Sequence, residues 1–458
     1  MTRIRRTVLV LGMSLCLAVQ ATNAQQRPNI LFIMADDLGY GDLGCYGSEL
    51  PTPHLDALAR QGIKLTQIYA AASTCTPSRF GLLTGKHPLR SKDNLLNPLA
   101  YGDPADADRG IRPGEKTIAA YLTEAGYYTA LIGKWHLGHG QKAFLPTRHG
   151  FQTFWGYTGG AIDFFTSRYG AEPDLHVGEE IVEKPGYVTD LTSDEAVHFL
   201  TSRPKNQPFF LCLHYNAPHF GKPWDDTRKA AVNILQGKPE YIIRFREIKD
   251  STRREYAAMM KSLDEGVGRV LNALKTAGLE EETLVIFTSD NGGSLNHGGR
   301  NRPLRGQKTT LFEGGIRVPC LIRWKGRLPE GKQNDTPLSM LDWFPTWLRL
   351  AGVASDAAAP DGMDVWPVLA DGKKMPVRPL FWSEVAAPRD GGRPTNAIRV
   401  GRWKWIQTPD GKQLLFDLGR DESEQLDVAD RHPGMRAELM KRFIVWRETA
   451  LNTPASEK

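Results

Sequence analysis

The chain has 458 residues, of which 41% are hydrophobic and 24% charged, a composition typical of a globular protein with one large domain and a smaller one. The formal net charge is +6, and it becomes +3 without the three arginines among the first six residues. A charge this small and scattered argues against nucleic-acid binding, but it suits a small anionic substrate.

The N-terminus has the pattern of a secretory signal peptide. Basic residues precede an apolar run from Val8 to Val19, and the small-residue end Thr22–Ala24 follows. We predict a signal peptide over residues 1–24 and a periplasmic or secreted mature protein. A transmembrane anchor is disfavoured because the run is short, and a lipoprotein is disfavoured because bulky Leu15 precedes Cys16. No later segment is apolar enough to cross a membrane, so no stable membrane anchor is expected.

Strand-like and helical patterns alternate from residue 27 to residue 324. The predicted strands cover residues 27–37, 127–135, 208–219, 283–293 and 316–324, and the predicted helices cover residues 52–62, 116–126 and 252–276. The first helix has Thr52 as its cap, Pro53 in its first turn and Gly62 at its end. This alternation predicts an α/β fold with a mostly parallel sheet between helices.

The pattern changes after residues 342–352. Short strand-like runs at residues 379–384, 396–408 and 413–419 precede an amphipathic helix at residues 433–449. We predict a large domain over residues 25–374 and a smaller C-terminal α+β domain, containing an antiparallel sheet, over residues 375–458.

Two long segments without a regular pattern are predicted to form the rim of a functional site. Residues 87–115 are rich in glycine, proline and aspartate, and residues 138–185 are rich in aromatic side chains. These aromatic residues are Phe151, Phe154, Trp155, Tyr157, Phe164 and Phe165.

Acidic and amide side chains fall at the carboxyl ends of two predicted strands, where ligands bind in α/β sheets. Asp36, Asp37, Asp290 and Asn291 offer hard oxygen ligands to Ca²⁺ or Mg²⁺. The aspartate pair alone is equally well explained as a turn cap. The second acidic strand end shifts the interpretation towards a metal site.

Basic side chains are predicted at the same edge of the sheet. Arg79, Lys134 and Lys308 are suited to gripping the oxygens of a tetrahedral anion, and His136 and His219 to moving protons. A lone histidine more often has a structural role, and Lys308 could also be an ordinary lysine on the protein surface. The flanking sequences GKWHLG and APH favour the functional interpretation.

Cys75 stands out because a free thiol in an exported protein is usually paired or used for chemistry. Pro77 favours the first turn of a helix, which would place the thiol at the helix's positive end, facing Arg79. Cys212 and Cys320 lie in apolar, strand-like runs and are predicted to be buried and unpaired, so no disulfide framework is expected. A metal, cationic groups, two histidines and this nucleophile together indicate hydrolysis of an anionic ester, phosphate or sulfate.

These motifs resemble those of a known family. The sequence Cys75-Thr-Pro-Ser-Arg79, continued by Leu82–Gly85, resembles the signature of the formylglycine-dependent (type I) sulfatases of the alkaline phosphatase superfamily, among them the arylsulfatases and N-acetylgalactosamine-6-sulfatases. GKWHLG looks like the family's second signature. The segments NILFIMADDLGYGDLGCYG, APH, SDNGG and RGQKTTLFEGGIRVP are similar to further blocks, in the family's order. The resemblance covers nearly the whole mature chain and implies that residues 25–374 form a sulfatase catalytic domain.

The resemblance also implies a modified nucleophile. A maturation enzyme, either formylglycine-generating or an anaerobic sulfatase-maturating enzyme, would oxidise Cys75 to formylglycine (3-oxoalanine) in the unfolded chain. A hydroxyl of the hydrated aldehyde would then attack sulfur. Residue 75 would share Ca²⁺, or alternatively Mg²⁺, with Asp36, Asp37, Asp290 and Asn291.

The remaining roles follow residue by residue from the same resemblance. Asp290 would act as base for the attack, and Arg79, Lys134 and Lys308 would neutralise the sulfate oxygens. His219, with Lys308, would protonate the leaving alcohol. His136 would take the proton of the second hydroxyl.

The sequence thus predicts an exported sulfatase that hydrolyses sulfate monoesters of a sulfated carbohydrate. Trp155 and Arg302, the latter within residues 297–305, are predicted to set sugar specificity. Two alternatives stay open: a phosphate or phosphonate ester hydrolase on the same fold, and a catalytically silent protein that binds a sulfated glycan.

Overall fold

The computed structural model describes residues 27–354, 360–385 and 394–452. The predicted signal peptide, residues 1–24, lies outside the described residues. Within the described residues, no helix combines the length and apolarity needed to cross a bilayer.

Strands and helices alternate through most of the chain, as predicted. The strands are β1 (Asn29–Ala35), β2 (Ile63–Tyr69), β3 (Tyr128–Lys134), β4 (Thr153–Tyr157), β5 (Arg168–Tyr169), β6 (Glu172–Pro173), β7 (Leu175–Val177), β8 (Glu180–Ile181), β9 (Phe209–His214), β10 (Trp224–Asp225), β11 (Ala230–Ala231), β12 (Thr283–Ser289), β13 (Arg317–Arg323), β14 (Lys332–Asn334), β15 (Leu338–Ser339), β16 (Pro379–Val385), β17 (Pro394–Val400), β18 (Trp403–Gln407) and β19 (Gln413–Asp417). The helices are α1 (Pro53–Arg60), α2 (Cys75–Thr84), α3 (Ile118–Glu124), α4 (Val188–Ser202), α5 (Pro239–Arg244), α6 (Ser251–Thr276), α7 (Glu313–Ile316), α8 (Trp343–Leu350), α9 (Trp366–Ala370) and α10 (Pro433–Asn452).

A large mixed sheet organises the first three quarters of the chain. Its strand order is β14-β2-β13-β12-β1-β9-β3-β4-β7-β8, and β15 also pairs with β2. The central strands β12, β1, β9, β3 and β4 are mutually parallel, whereas β13 runs antiparallel to β12. The fold is therefore α/β with a mostly parallel sheet, and the carboxyl ends of the central strands share one edge.

Helices cover both faces of this sheet, which explains the uninterrupted apolar character of β1. Ile30, Phe32 and Met34 face one cluster, where α2, α3 and α8 contribute apolar side chains. Leu31 and Ile33 face a second cluster, formed with α1, α4 and α6. A strand buried on both faces gains hydrophobic stabilisation from every side chain, so it does not alternate with polar residues.

The C-terminal part forms a separate antiparallel sheet of order β16-β17-β18-β19, as predicted. One face packs against α10 through Trp405 and Phe443. The other face packs against the large sheet, where Trp382 contacts Tyr69 and donates a hydrogen bond from Nε1 to the carbonyl oxygen of Ala70, at 2.9 Å. The boundary at residues 374/375 stays a prediction.

The prediction of an aromatic rim at Trp155 is wrong. Phe154, Trp155 and Tyr157 belong to β4, which pairs in parallel with β3, and Trp155 is only 3% exposed. Phe151 and Phe164 are likewise buried, whereas Phe165 is exposed. The physical reason is that the short run TFWGY completes the sheet, so its aromatic rings fill the core.

Candidate active site

Cys75 lies at the N-terminal end of α2, as the position of Pro77 predicted. Pro77 is tolerated there because a first-turn residue has no intrahelical partner for its N–H. The Cys75 side chain is buried, yet it lines a cavity of about 320 Å³. Burial raises the pKa of the Cys75 thiol to about 11, although Lys134 and Lys308 oppose the shift. The thiol is therefore protonated at neutral pH and is a poor nucleophile as it stands.

Two adjacent strands deliver the acidic groups beside Cys75. Strands β1 and β12 run parallel with Ala35 opposite Ser289, so the residues after them meet at one edge. The Asp37 N–H donates to Asp290 Oδ1 at 3.2 Å, and Asn291 Nδ2 donates to Asp37 Oδ1 at 2.8 Å. The predicted convergence of the two acidic strand ends is confirmed.

Two lysines neutralise the paired aspartates. Lys134, the last residue of β3, places Nζ 2.6 Å from Asp36 Oδ2. Lys308 places Nζ 2.8 Å from Asp37 Oδ2 and 3.4 Å from the Cys75 sulfur. The Lys308 ammonium group is thus next to the candidate nucleophile and lines the cavity, within reach of an anion bound there, whereas Lys134 is fully buried against Asp36 and is not among the lining residues.

Arg79 is fully buried one turn along α2 from Cys75. Its Nε and Nη2 donate to Asp290 Oδ2 at 3.1 and 2.9 Å, and its Nη1 donates to the carbonyl oxygen of Lys134 at 3.1 Å. Burial opposes ionisation of Asp290, but Arg79 and Lys134 together hold the pKa of that carboxyl below its usual value. In this arrangement Arg79 orients Asp290 and the end of β3. Arg79 is not among the residues that line the cavity, so its contact with the sulfate oxygens stays a prediction.

The hydrogen bonds of the two predicted histidines fix their tautomers. His136 places Nε2 2.9 Å from the carbonyl oxygen of Leu99, and His219 places Nδ1 2.8 Å from that of Phe220. A carbonyl oxygen only accepts, so these nitrogens carry the protons. The free lone pairs are then on His136 Nδ1 and His219 Nε2, and the latter lies 3.6 Å from Asp37 Oδ2.

Both imidazoles are neutral in this arrangement. Burial, followed by the charges of the neighbouring lysines, lowers the pKa of His136 and of His219 well below the ordinary value. Neutral imidazoles can accept protons, and a bound anionic ester would favour the protonated form that donates one.

The donor set fits a hard divalent cation. Asp36 Oδ1 and Asn291 Oδ1 are buried and have no hydrogen-bond partner among the described residues, an arrangement that a cation would satisfy. One potential ligand atom from each of Asp36, Asp37, Cys75 and His219 lies within 4.8 Å of the others. Burial raises the pKa of Asp36, and a cation would reverse that shift. Oxygen donors of this kind favour Ca²⁺ or Mg²⁺.

Sequence reasoning missed several residues that support the site. His214, the last residue of β9, places Nδ1 3.1 Å from the carbonyl oxygen of Lys134. Ser78 donates from Oγ to the carbonyl oxygen of Asp290 at 2.5 Å. Glu384 of β16 accepts hydrogen bonds from both the N–H and the Oγ of Ser73. No local pattern marks these residues, because their partners are distant in sequence.

The two long segments predicted to form the rim do line the cavity, through Leu99 from residues 87–115 and Tyr169 from residues 138–185. His297 lines it together with Phe220 and Lys222, whereas Arg302 is exposed on the 297–305 loop and is not among the lining residues. Strand β5 and the segments that follow β9 and β12 therefore supply the aromatic rim.

Comparisons with known proteins match the chain to one family. A family model described as Sulfatase matches residues 28–353. Arylsulfatase A of Homo sapiens is 35% identical over 485 residues, which cover 93% of this chain and 89% of that protein. N-acetylgalactosamine-6-sulfatase of Canis lupus familiaris is 34% identical over 479 residues, which cover 93% and 85% respectively. The crystal structure of Ps i-CgsB in complex with k-i-k-neocarrahexaose superposes with a TM-score of 0.83 at 33% identity, and covers 92% of this chain and 93% of that one.

Proposed function

The chain belongs to the sulfatase family and is a sulfuric ester hydrolase, and on that premise we propose that it is an exported enzyme that removes sulfate from a sulfated carbohydrate through a formylglycine made from Cys75. The observation that carries this proposal is the position of Cys75. It lines the cavity at the start of α2, between Lys308 and the paired aspartates, with a pKa that keeps an unmodified thiol protonated.

Conversion of Cys75 is expected before folding. The side chain is 2% exposed and opens only onto the cavity, so a maturation enzyme needs the unfolded segment. Formylglycine supplies a hydrated aldehyde with two hydroxyl groups, one to attack sulfur and one through which sulfate is released.

The donor set described above would hold Ca²⁺, with Mg²⁺ as the alternative. Asp36, Asp37, Asp290 and Asn291 would be its ligands, together with residue 75. A bound divalent cation supplies polarisation of the ester's sulfate and a lower pKa for a nearby hydroxyl.

The chain's own side chains would bind the sulfate and move the protons. Lys134 and Lys308 would pair with the sulfate oxygens once a cation shares Asp36 and Asp37. Asp290, oriented by Arg79, would accept the proton of the attacking hydroxyl.

The histidines have complementary proton roles. His219 lines the cavity with Nε2 beside Asp37 and would donate a proton to the leaving alcohol, assisted by Lys308. The buried Nδ1 of His136 has no hydrogen-bond partner in the described residues, and its lone pair would accept the proton of the second hydroxyl.

A carbohydrate substrate is supported by the rim and by the relatives. Tyr169, Phe220 and His297 are half-buried rings at the cavity mouth, a surface suited to stacking on sugar faces. One relative is named for N-acetylgalactosamine 6-sulfate, and one structural neighbour was crystallised with k-i-k-neocarrahexaose.

The proposal is tested on protein produced together with a maturation enzyme. Peptide mass should show that residue 75 has lost its sulfur. Sulfate release is then measured on a panel of defined sulfated mono- and oligosaccharides, with an aryl sulfate and an aryl phosphate alongside. We expect sulfate release, with one sugar position preferred, and none from the Cys75→Ala variant.

Other outcomes would identify the alternatives. Preference for the aryl phosphate would favour a phosphohydrolase. Saccharide binding that survives Cys75→Ala, with no turnover of any ester by the converted protein, would favour a binding protein.

A further inference from the structure

Lys222 is a cavity-lining cation that the proposed chemistry does not use. Lysines 222 and 308 are the residues with an ammonium group among those lining the cavity, and Lys308 is paired with Asp37 at 2.8 Å. Lys222 has no carboxylate within 4.0 Å and no hydrogen-bond acceptor for its ammonium group in the described parts of the chain. Its Nζ lies instead over the rings of Tyr169 and Phe220, at 5.3 and 6.0 Å from their centroids.

The backbone at Lys222 is well fixed. Its carbonyl oxygen accepts a hydrogen bond from the Gly170 N–H at 2.7 Å, and the neighbouring Gly221 N–H donates to Ile234 at 2.8 Å. Two separate segments therefore hold the backbone here, and two aromatic rings lie beside the ammonium group. A half-buried, oriented ammonium group with free N–H donors is suited to an anionic ligand.

The ring contacts do not satisfy this group. A cation over an aromatic face gains electrostatic energy, but its three N–H donors still require acceptors. Asp37 is the acidic residue that lines the cavity, and Lys308 already neutralises it. An acceptor for Lys222 must therefore come from water or from a ligand.

We infer that Lys222 is a specificity residue that binds a second anionic group of the substrate, a sulfate or a carboxylate, next to the ester that is cleaved. This inference rests on the proposed function and narrows its substrate class to glycans with at least two negative charges close together. Tyr169 and Phe220 would stack on the sugar while the Lys222 ammonium group binds the additional negative charge.

Binding is measured by calorimetry on the full chain with an unconverted Cys75, which cannot turn the ligand over, in the presence of Ca²⁺. The probes are N-acetylgalactosamine 6-sulfate, N-acetylgalactosamine 4,6-disulfate, and a disaccharide of glucuronate and N-acetylgalactosamine 6-sulfate. We expect the chain to bind at least one doubly charged probe about tenfold more tightly than the singly charged one. Tighter binding of the disulfate would identify the second group as a sulfate, and tighter binding of the glucuronate disaccharide would identify it as a carboxylate.

Variants assign the preference to Lys222. Lys222→Met keeps the aliphatic stem and should remove the tenfold preference, as should Lys222→Gln, whereas Lys222→Arg should retain it. Lys184→Met is the matched control, because Lys184 also lies over an aromatic ring, 5.9 Å from the Trp155 centroid, but does not line the cavity. Thermal melts establish that each variant is folded.

The outcomes separate this inference from the function on which it rests. A chain without preference for either doubly charged probe, or a preference that survives Lys222→Met and Lys222→Gln, would overturn the role of Lys222. Converted protein that hydrolyses no sulfate ester would instead overturn the proposed function, while a Lys222-dependent preference would still establish the contact.

Discussion

Buried carboxylates near the site differ in what stabilises their charge. Asp290 has Arg79 against it, whereas Glu384 has only the N–H and the hydroxyl of Ser73 as hydrogen-bond donors in the described residues. Burial without a cation raises the pKa of Glu384 to about 7, although both hydrogen bonds oppose the shift. Near neutral pH, this carboxyl carries its proton in a large fraction of folded molecules.

We predict that Glu384→Gln reduces the pH dependence of stability. Between pH 4.5 and 7, folded Glu384 retains a proton that the unfolded chain releases, so the wild-type free energy of unfolding falls as pH rises through this window. The contribution is at most about 3 kcal/mol. Glutamine can satisfy both groups of Ser73 without a charge. The free energy of unfolding of the variant, compared with that of the wild type, should therefore be larger at pH 8 than at pH 5.

Denaturation by urea at pH 5 and pH 8 measures this effect. Glu438→Gln is the control, because Glu438 is an exposed partner of Arg442 and should leave the pH dependence unchanged. Parallel pH profiles for the wild type and Glu384→Gln would contradict the assignment.

At the level of elements, the contact between β3 and β9 limits what residue 133 can be. Gly133 lies opposite His214 with φ at 107°, and an added Cβ would stand 1.9 Å from the carbonyl oxygen of His214. The next residue, Lys134, carries the ammonium group that contacts Asp36. Close approach of the two backbones therefore positions the lysine.

We predict that Gly133→Ala destabilises the protein by about 4 kcal/mol or more, because it combines a backbone clash with an unfavourable positive φ. Thermal and chemical denaturation measure the loss, and poor recovery of folded protein is the extreme result. Gly434→Ala is the control, since a Cβ added there would have nothing within 4 Å, and it should not destabilise. Equal stability of the two variants would show that β3 and β9 can separate at little cost.

Elements and site residues were predictable where the signal is local. Strands β1 and β12 combine an apolar run with an acidic end, and Pro77 marks the start of α2, so Asp36, Asp290 and Cys75 could be placed from sequence. Strand β4 was missed because its aromatic residues lie in a segment dominated by turns.

Tertiary partners set the limit of that prediction. His214 sits within an apolar strand, and nothing in its neighbourhood indicates that it meets the carbonyl of Lys134. Lys222 is one surface-like lysine among many until Gly170 is brought beside it. Its proposed role depends on a segment more than fifty residues away, which periodicity cannot reveal.

On the scale of the whole molecule, a buried charge cluster joins the C-terminal sheet to the loop that carries Lys308. Lys404 of β18 places Nζ 2.8 Å from Glu313 and 2.9 Å from Glu424. Glu313 begins α7, shortly after Lys308, and the Glu424 carbonyl oxygen accepts a hydrogen bond from Arg305 at 2.8 Å. The C-terminal sheet therefore supports the loop that carries Lys308.

We predict that Lys404→Met destabilises the protein by about 3–5 kcal/mol, because it leaves two buried carboxyl groups without their shared cation. Chemical denaturation measures the change. Lys412→Met, which removes an exposed partner of Asp410 near the same sheet, should leave the transition unchanged. A wild-type-like midpoint for Lys404→Met would mean that the neighbouring arginines replace the lost charge.

The enclosure of Cys75 also has a consequence for timing. Strand β1 pairs with β9 and β12, and Ser73 is held by Glu384, so the groups that enclose residue 75 are synthesised up to 309 residues after it. At roughly 5–20 residues per second, that interval lasts on the order of 15–60 s. A sheet assembled from such distant strands is also slow to form. If Cys75 is converted as proposed, this order of synthesis would leave time for a maturation enzyme to act before folding, and a chain that folded faster would bury its own cysteine unconverted.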